Sequence, residues 1–413
     1  MATDREYGIV LWGATGFTGH LTAEQLLRRV GVDDEVRWAL GGRNPDKLTT
    51  VRHEIGELVG PSADGLDLLV GDSDDEEFLD DLTSRARVVC STVGPYARYG
   101  SGLVAACARN GTDYCDLTGE VHWMRRMIEA HQDTARESGA RLVFTCGFDC
   151  IPSDLGTFFM QREMQDRHGV PCSKVQFRVA GFSGAASGGT IASMLTMMEE
   201  AEKDPDVERA MYEPYSLNPK GEQSGRDRPE RASPFKDEDF GEWVAPFVMA
   251  GINTKVVRRS NALLDYAYGS DFSYDEAMLM GDGPVGLAKA LATSAGTAAM
   301  NVGMGQGWLR QVVSGRLPQP GEGPSRQKQE KGYFDIRLRG EHPTDVAKSL
   351  WGRVRGDRDP GYGSTSKMLA ESALCLAQDD LAAEGGFWTP ASAMGEALLE
   401  RLPAHAGVTF TLD

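Results

Sequence analysis

Seven residues near one end of the chain, GATGFTG, place Gly13, Gly16 and Gly19 at every third position directly after the apolar run YGIVLW. Glycines at that spacing let a backbone turn approach an anion closely, and the amides that open the following helix would hold it. Gly13, Thr15, Gly16, Phe17, Thr18 and Gly19 are therefore expected to seat the pyrophosphate of a dinucleotide. The spacing is GxxGxxG rather than the commoner GxGxxG, and its weight comes from standing between a first strand and a first helix. A tight turn with one helix-packing glycine does not explain all three.

A second apolar run, VRWALGG, ends on Gly41 and Gly42 and is followed by Arg43. An NAD enzyme usually places a carboxylate there to bind the ribose 2′-hydroxyl. A guanidinium pairs instead with a 2′-phosphate, so Gly42 and Arg43, with Lys47 one turn on, point to NADP. Asp72, at the end of LDLLVGD, is placed to face the adenine. In STVGPYARYG, Gly94 and Pro95 turn the chain sharply after Val93 and would leave Tyr96 free to face the nicotinamide. A structural turn with a packed tyrosine is the competing account.

Hydride chemistry asks the protein for orientation and at most one proton donor. Reduction of an enoyl group also leaves an enolate oxygen that needs hydrogen-bond donors. The residues near strand ends that offer such groups are Tyr96, Tyr114, Cys115, His122, Asp149 and Cys150, with Tyr96 the first choice as catalytic donor. Asp149 and Ser153 also suit the cap of the helix that follows. No spacing among these residues marks a Ser/His/Asp or Cys/His nucleophile.

The elements that must position these groups alternate over the first 150 residues. Short apolar strands end near Trp12, Gly42, Asp72 and Val93, with two more in TDYCDLTG and ARLVFTCGFD, and helical stretches lie between them. The pattern predicts an α/β fold with a Rossmann-type doubly wound parallel sheet. After Cys150 the alternation breaks. GGTIASMLTMMEEAEK reads as a methionine-rich helix, either core filler or a pliable lipid-facing wall. Residues 214–241 and 316–331 read as long loops. The stretch 274–300 is interrupted by Asp282 and Lys289 and so is not a spanning helix. It is read as an amphipathic one, packed in a core or interface or able to rest on a membrane surface. FDIRLRG and LWGRVRG read as paired antiparallel strands, and GVTFTL as a closing strand.

Composition narrows the function classes. Among 413 residues the net charge is -18, and arginines outnumber lysines 32 to 11. Such a surface repels nucleic acid and anionic membrane. No apolar stretch reaches the roughly 20 residues of a membrane span. The seven cysteines form no CxxC pair or Cys/His cluster, so free thiols and no metal site are expected. The opening MATDREYG lacks the features of a signal peptide, so a cytoplasmic protein is expected. Base rates and the large apolar second half suggest a homodimer.

GATGFTG, the GR at 42–43, TVGPY at 92–96, YCDLTGE at 114–120, GFDCIPSDLG at 147–156 and SGGT at 187–190 occur in that order. Together with APFVMAGINTKVVRRSNALL and TPASAMGEALLERL they resemble the saccharopine dehydrogenase-like oxidoreductases, in the branch that includes the trans-acting enoyl reductases. The resemblance implies an NADP-binding Rossmann domain over 1–150, a second α+β substrate and dimerisation domain inserted over 151–355, and a segment, 356–413, returning to the first. It also implies reduction of a carbon–carbon double bond in a polyketide-derived, lipid-like acyl chain. Two alternatives stay open. One is a saccharopine-type amino-acid dehydrogenase, which would need basic residues converging in the pocket, and Arg258–Arg259 is the only adjacent pair in a family-like motif. The other is a non-catalytic NADP-binding scaffold or sensor.

Overall fold

The computed structural model describes residues 5–32, 36–60, 63–184, 188–304 and 323–413. In the first half, strands β1 (Tyr7–Trp12), β2 (Trp38–Gly42), β3 (Asp67–Val70), β4 (Ala86–Ser91), β5 (Asp113–Asp116) and β6 (Arg141–Val143) lie parallel. They alternate with helices α1 (Phe17–Val30), α2 (Pro45–Val59), α3 (Glu76–Arg85), the single turn α4 (Tyr96–Tyr99), α5 (Ser101–Asn110) and α6 (Val121–Ser138). Ile9, Val10 and Leu11 of β1 are fully buried on both faces of the sheet, as a strand with helices above and below it requires. Asn44 accepts the amide of Lys47 and starts α2, and Asp75 does the same for α3 through Phe78.

The second half runs through α7 (Ile151–His168), β7 (Lys174–Ser183), α8 (Gly188–Ala201), α9 (Pro205–Tyr212), β8 (Phe235–Asp237), β9 (Glu242–Ala245), α10 (Ala250–Leu263), β10 (Ser273–Gly281), α11 (Gly283–Met304), α12 (Arg326–Lys331), β11 (Tyr333–Glu341) and β12 (Leu350–Gly356). The chain closes with α13 (Thr365–Gln378), β13 (Gly386–Trp388), α14 (Pro390–Arg401) and β14 (Val408–Leu412). Among the described residues two seven-stranded sheets result, ordered β13-β6-β5-β4-β1-β2-β3 and β14-β12-β11-β7-β10-β9-β8. The segment after Gly356 therefore divides. β13 extends the first sheet beside β6, whereas β14 pairs with β12 in the second.

Three sequence expectations change. The loop at 214–241 ends in β8, because Asp237 accepts the buried Arg178 guanidinium at 2.7 Å and Phe235–Asp237 pairs with β9. In 316–331, residues 316–322 lie outside the described residues, and the remainder contains α12. There Arg326 pairs with Glu24 of α1, a carboxylate only 5% exposed, at 2.6 Å. The run 274–300 is a strand and a helix rather than one helix. Gly281 and Gly283 both take positive φ and break it between β10 and α11. Ser187 of the SGGT motif also lies outside the described residues. Among the described residues no helix is long and apolar enough to cross a membrane, and no group of acidic, cysteine and histidine side chains suits a metal.

Candidate active site

The first sheet reverses direction of growth between β1 and β4, and the crevice beyond their carboxyl ends is where such folds bind ligands. The glycine turn stands there. Gly13 takes φ +94, and a Cβ on it would lie 2.7 Å from Thr92 Oγ1 and from Val93 Cγ2. A Cβ on Gly19 would lie 2.1 Å from the Gly13 carbonyl oxygen, which locks the start of α1 against the end of β1. Gly16 caps α1 with no side-chain acceptor, and the first turn of the helix holds no acidic residue. Uncapped amides in a cradle walled by glycine fit a pyrophosphate.

At the end of β2, Arg43 lies across from Asp72, with Nη1 and Oδ2 4.0 Å apart and both side chains more than half exposed. A contact that long between solvated groups is weak, so the guanidinium can turn to a phosphate. Arg43 and Asp72 thus stand together on the β2–β3 side of the crevice.

After β4, Val93, Gly94 and Pro95 form the turn opposite Gly13, with a cis bond before Pro95. Tyr96 does not stand free, contrary to expectation. It is 5% exposed, its hydroxyl donates to the Ser91 carbonyl and accepts from the Leu117 amide, both at 3.2 Å, and its ring packs on Trp123. Burial holds its phenol well above the ordinary value. It is a packed residue and no proton donor. The turn is held from below by Glu120, whose carboxylate accepts the amides of Tyr96 at 2.9 Å and Ala97 at 2.8 Å.

The other candidates sort in the same way. Tyr114 donates to Asp116 at 2.9 Å, and Cys115 and Cys150 are fully buried thiols whose pKa values burial raises. His122 is buried beside Glu200 of α8 at 3.3 Å, and burial lowers its pKa. Asp149 differs from all of these. It lies half-buried in the loop from β6 to α7, and no hydrogen bond or ion pair to its carboxylate occurs among the described residues. Burial alone pushes it up to about 6. The same loop contains Thr145 at φ 64, a strained conformation of the kind that gathers at functional sites. The loop is pinned to the second half by Phe148 N donating to Thr365 Oγ1 at 3.0 Å and by Cys150 Sγ against Asn253 Oδ1 at 3.3 Å.

Sequence reasoning missed a set of buried carboxyls around this loop. Asp116 accepts the amides of Thr118 and Thr145, Asp154 the amide of Ala391 and the hydroxyl of Ser260, and Glu276 the Tyr274 hydroxyl and the Asn253 amide. Burial pushes each up to about 7. Because these folded values lie above the unfolded ones, the stabilising contribution is whole below about pH 4 and is lost as pH rises through about 7. Each group costs on the order of 4 kcal/mol across that window. Urea unfolding is therefore expected to show lower stability at pH 8 than at pH 5. Asp116→Asn keeps both amide bonds and turns a donor to Tyr114, so it should narrow the gap. An unchanged gap would contradict the assignment to Asp116.

A family model for the saccharopine dehydrogenase NADP binding domain matches residues 9–143. A protein of Mycobacterium tuberculosis (strain H37Rv), provisionally named a trans-acting enoyl reductase, is 41% identical over 99% of this chain and 98% of its own length. The trans-acting enoyl reductase of Mycobacterium bovis (strain BCG / Pasteur 1173P2) is 39% identical over 98% of each. That of Mycobacterium ulcerans (strain Agy99) is 38% identical over 97% of each. Apo saccharopine dehydrogenase (L-Glu forming) from Saccharomyces cerevisiae shares the fold, with a TM-score of 0.53 at 11% identity over 98% of this chain and 99% of that one. With its NADP-binding domain and end-to-end likeness to these proteins, the chain belongs to the saccharopine dehydrogenase-like NADP-dependent oxidoreductases, in the branch of the trans-acting enoyl reductases.

Proposed function

We propose that the protein reduces the carbon–carbon double bond of an α,β-unsaturated acyl substrate. The observation that carries this reading is an uncapped glycine turn after β1 together with Asp149 in the loop after β6, a carboxyl with no partner among the described residues, both at the carboxyl edge of the first sheet. The names of relatives matching nearly the whole chain support it. NADPH, when bound, supplies the hydride. The protein's part is to hold the substrate's β-carbon toward the crevice and to deliver a proton to the α-carbon as the enolate collapses. Asp149, protonated below about pH 6, is the group for that proton. The acyl chain is placed along α8. This helix is tied to the first half by Arg98–Glu199 at 3.8 Å and Arg126–Glu200 at 3.1 Å, and its Met197 and Met198 are half-buried.

The amino-acid dehydrogenase reading loses its support. Arg258 is bound to Asp227 at 2.7 Å and Glu230 at 3.2 Å, and Arg259 is buried against the carbonyls of Leu217 and Phe387. Neither is left to hold a substrate carboxylate. The scaffold reading would place no proton donor beside the crevice, and Asp149 counts against it. The assignment is tested by mixing the protein, NADPH and a 2-enoyl thioester. Loss of NADPH absorbance with appearance of the saturated thioester is expected, and binding without turnover across enoyl chain lengths would overturn it.

Cofactor choice is tested at Arg43. Arg43→Ala is expected to weaken NADPH by on the order of 1.5–3 kcal/mol, the scale of a charge-assisted hydrogen bond, and to leave NADH nearly unchanged in a fluorescence titration. Equal losses for both would remove Arg43 as the 2′-phosphate ligand. We further infer a cytoplasmic homodimer acting in lipid metabolism. The dimer is motivated by the exposed Phe182, Tyr333 and Trp351 on the second sheet, and a monomeric mass by light scattering would remove it.

A further inference from the structure

Between β12 and α13 the chain makes a tight turn, Asp359–Ser364, that neither the glycine motif nor the proton donor accounts for. Asp359 is 1% exposed and builds the turn from inside, accepting the amides of Tyr362 at 3.0 Å and Gly363 at 3.1 Å. The turn is fixed from two further sides. Asp359 N donates to the Gln329 carbonyl of α12 at 3.0 Å, and Thr365 Oγ1 donates to the Pro360 carbonyl at 2.8 Å while accepting the Phe148 amide. So a segment more than 300 residues beyond the glycine turn is held rigidly beside the loop that carries Asp149.

Its tyrosine reaches the glycine turn itself. The Tyr362 ring meets Phe17, the first residue of α1, edge-on with centroids 4.8 Å apart and planes at 85°. Tyr362 is 1% exposed, yet its hydroxyl has no hydrogen-bond partner among the described residues. Buried hydroxyls in folded proteins are paired with few exceptions, and an exception asks for an explanation. Burial also raises the Tyr362 phenol, so it stays a proton-bearing donor throughout the working pH range.

We propose that Tyr362 is a cofactor-binding residue, its hydroxyl donating a hydrogen bond to the nicotinamide half of the dinucleotide, at a phosphate oxygen or ribose hydroxyl next to Phe17. The side of the crevice decides which half. Arg43 and Asp72 stand on the β2–β3 side with the adenosine, whereas the Tyr362 turn is pinned through Thr365 to the loop after β6, on the far side of the reversal point. The fold thus completes its cofactor site with a residue from the second half of the chain. This inference rests on the NADP reading.

The test is Tyr362→Phe in the full chain, titrated with NADPH and with 2′,5′-ADP, which carries the 2′-phosphate but lacks the nicotinamide half. NADPH is expected to bind about tenfold more weakly, the scale of one hydrogen bond, and 2′,5′-ADP within twofold of the parent. The melting temperature without ligand should not fall, because phenylalanine keeps the packing on Phe17 and removes an unpaired hydroxyl. Unchanged NADPH affinity in a protein whose parent binds NADPH would overturn the role of Tyr362 alone. Equal losses for both ligands, with a lower melting temperature, would make Tyr362 structural and overturn it as well. A parent chain that binds neither ligand would overturn the NADP reading and this inference together.

Discussion

Gly19→Ala is expected to lower NADPH affinity by about 100-fold or more and to destabilise the protein, whereas Gly16→Ala is expected to cost affinity alone. The two glycines differ in what a methyl group would meet. At Gly19 a Cβ would lie 2.1 Å from a backbone oxygen, 2.8 Å from Thr92 Oγ1 and 2.9 Å from Ala14 Cα, so the start of α1 must back away from β1. Overpacking of that kind costs on the order of 1–3 kcal/mol of stability. The displaced amides would also lose at least two charge-assisted hydrogen bonds to a pyrophosphate, about 3 kcal/mol in sum. Gly16 has φ -78 and ψ 162, which alanine adopts readily, and its nearest neighbour would be the Gly13 oxygen at 3.4 Å. The fold therefore has room for alanine at 16, and only a ligand coming close to the backbone would feel it. Thermal melts and NADPH titrations of both variants separate the two effects. A Gly16→Ala protein that binds NADPH as the parent does would mean that no phosphate comes to this turn.

Asp149→Asn is expected to reduce kcat by about 100-fold or more with little change in NADPH affinity, since a positioned general acid contributes on that scale. The pH profile is the sharper readout. Burial sets the free-enzyme carboxyl at about 6, so kcat/KM should be flat below that pH and fall above it as the proton is lost. The asparagine variant should lose this limb while keeping its fold, because no partner among the described residues depends on the carboxylate. A variant with parental kcat, or one with the same falling limb, would take the proton from elsewhere.

What was legible in the sequence follows the range of the interactions that decide each feature. The glycine turn and the alternating strands of the first half depend on local geometry, and residues a few positions apart already specify them. Tyr96 was misjudged for the opposite reason. Whether its hydroxyl is free depends on Ser91 and on Leu117, which another strand's loop brings to it. The solitude of Asp149 is likewise a tertiary property, invisible until the fold shows that no donor among the described residues approaches it. Arg258 and Arg259 stand in the sequence only as an adjacent basic pair, and the fold alone places Asp227, Glu230 and two carbonyls around them. The helix at Arg326–Lys331 was hidden in a polar stretch because its anchor, Glu24, lies some 300 residues away. The last strand could be read as a strand, but its choice of the second sheet rests on pairing with β12.

The most direct test of the account is to follow the transferred hydrogen. With NADPH deuterated at the transferring position and a 2-enoyl thioester in ordinary water, one deuterium is expected on the β-carbon of the saturated product, with an ordinary hydrogen from the acid at the α-carbon. Mass spectrometry and NMR of the product locate both. Deuterium at a carbinol carbon, at the α-carbon, or absent from every product would contradict an enoyl reductase.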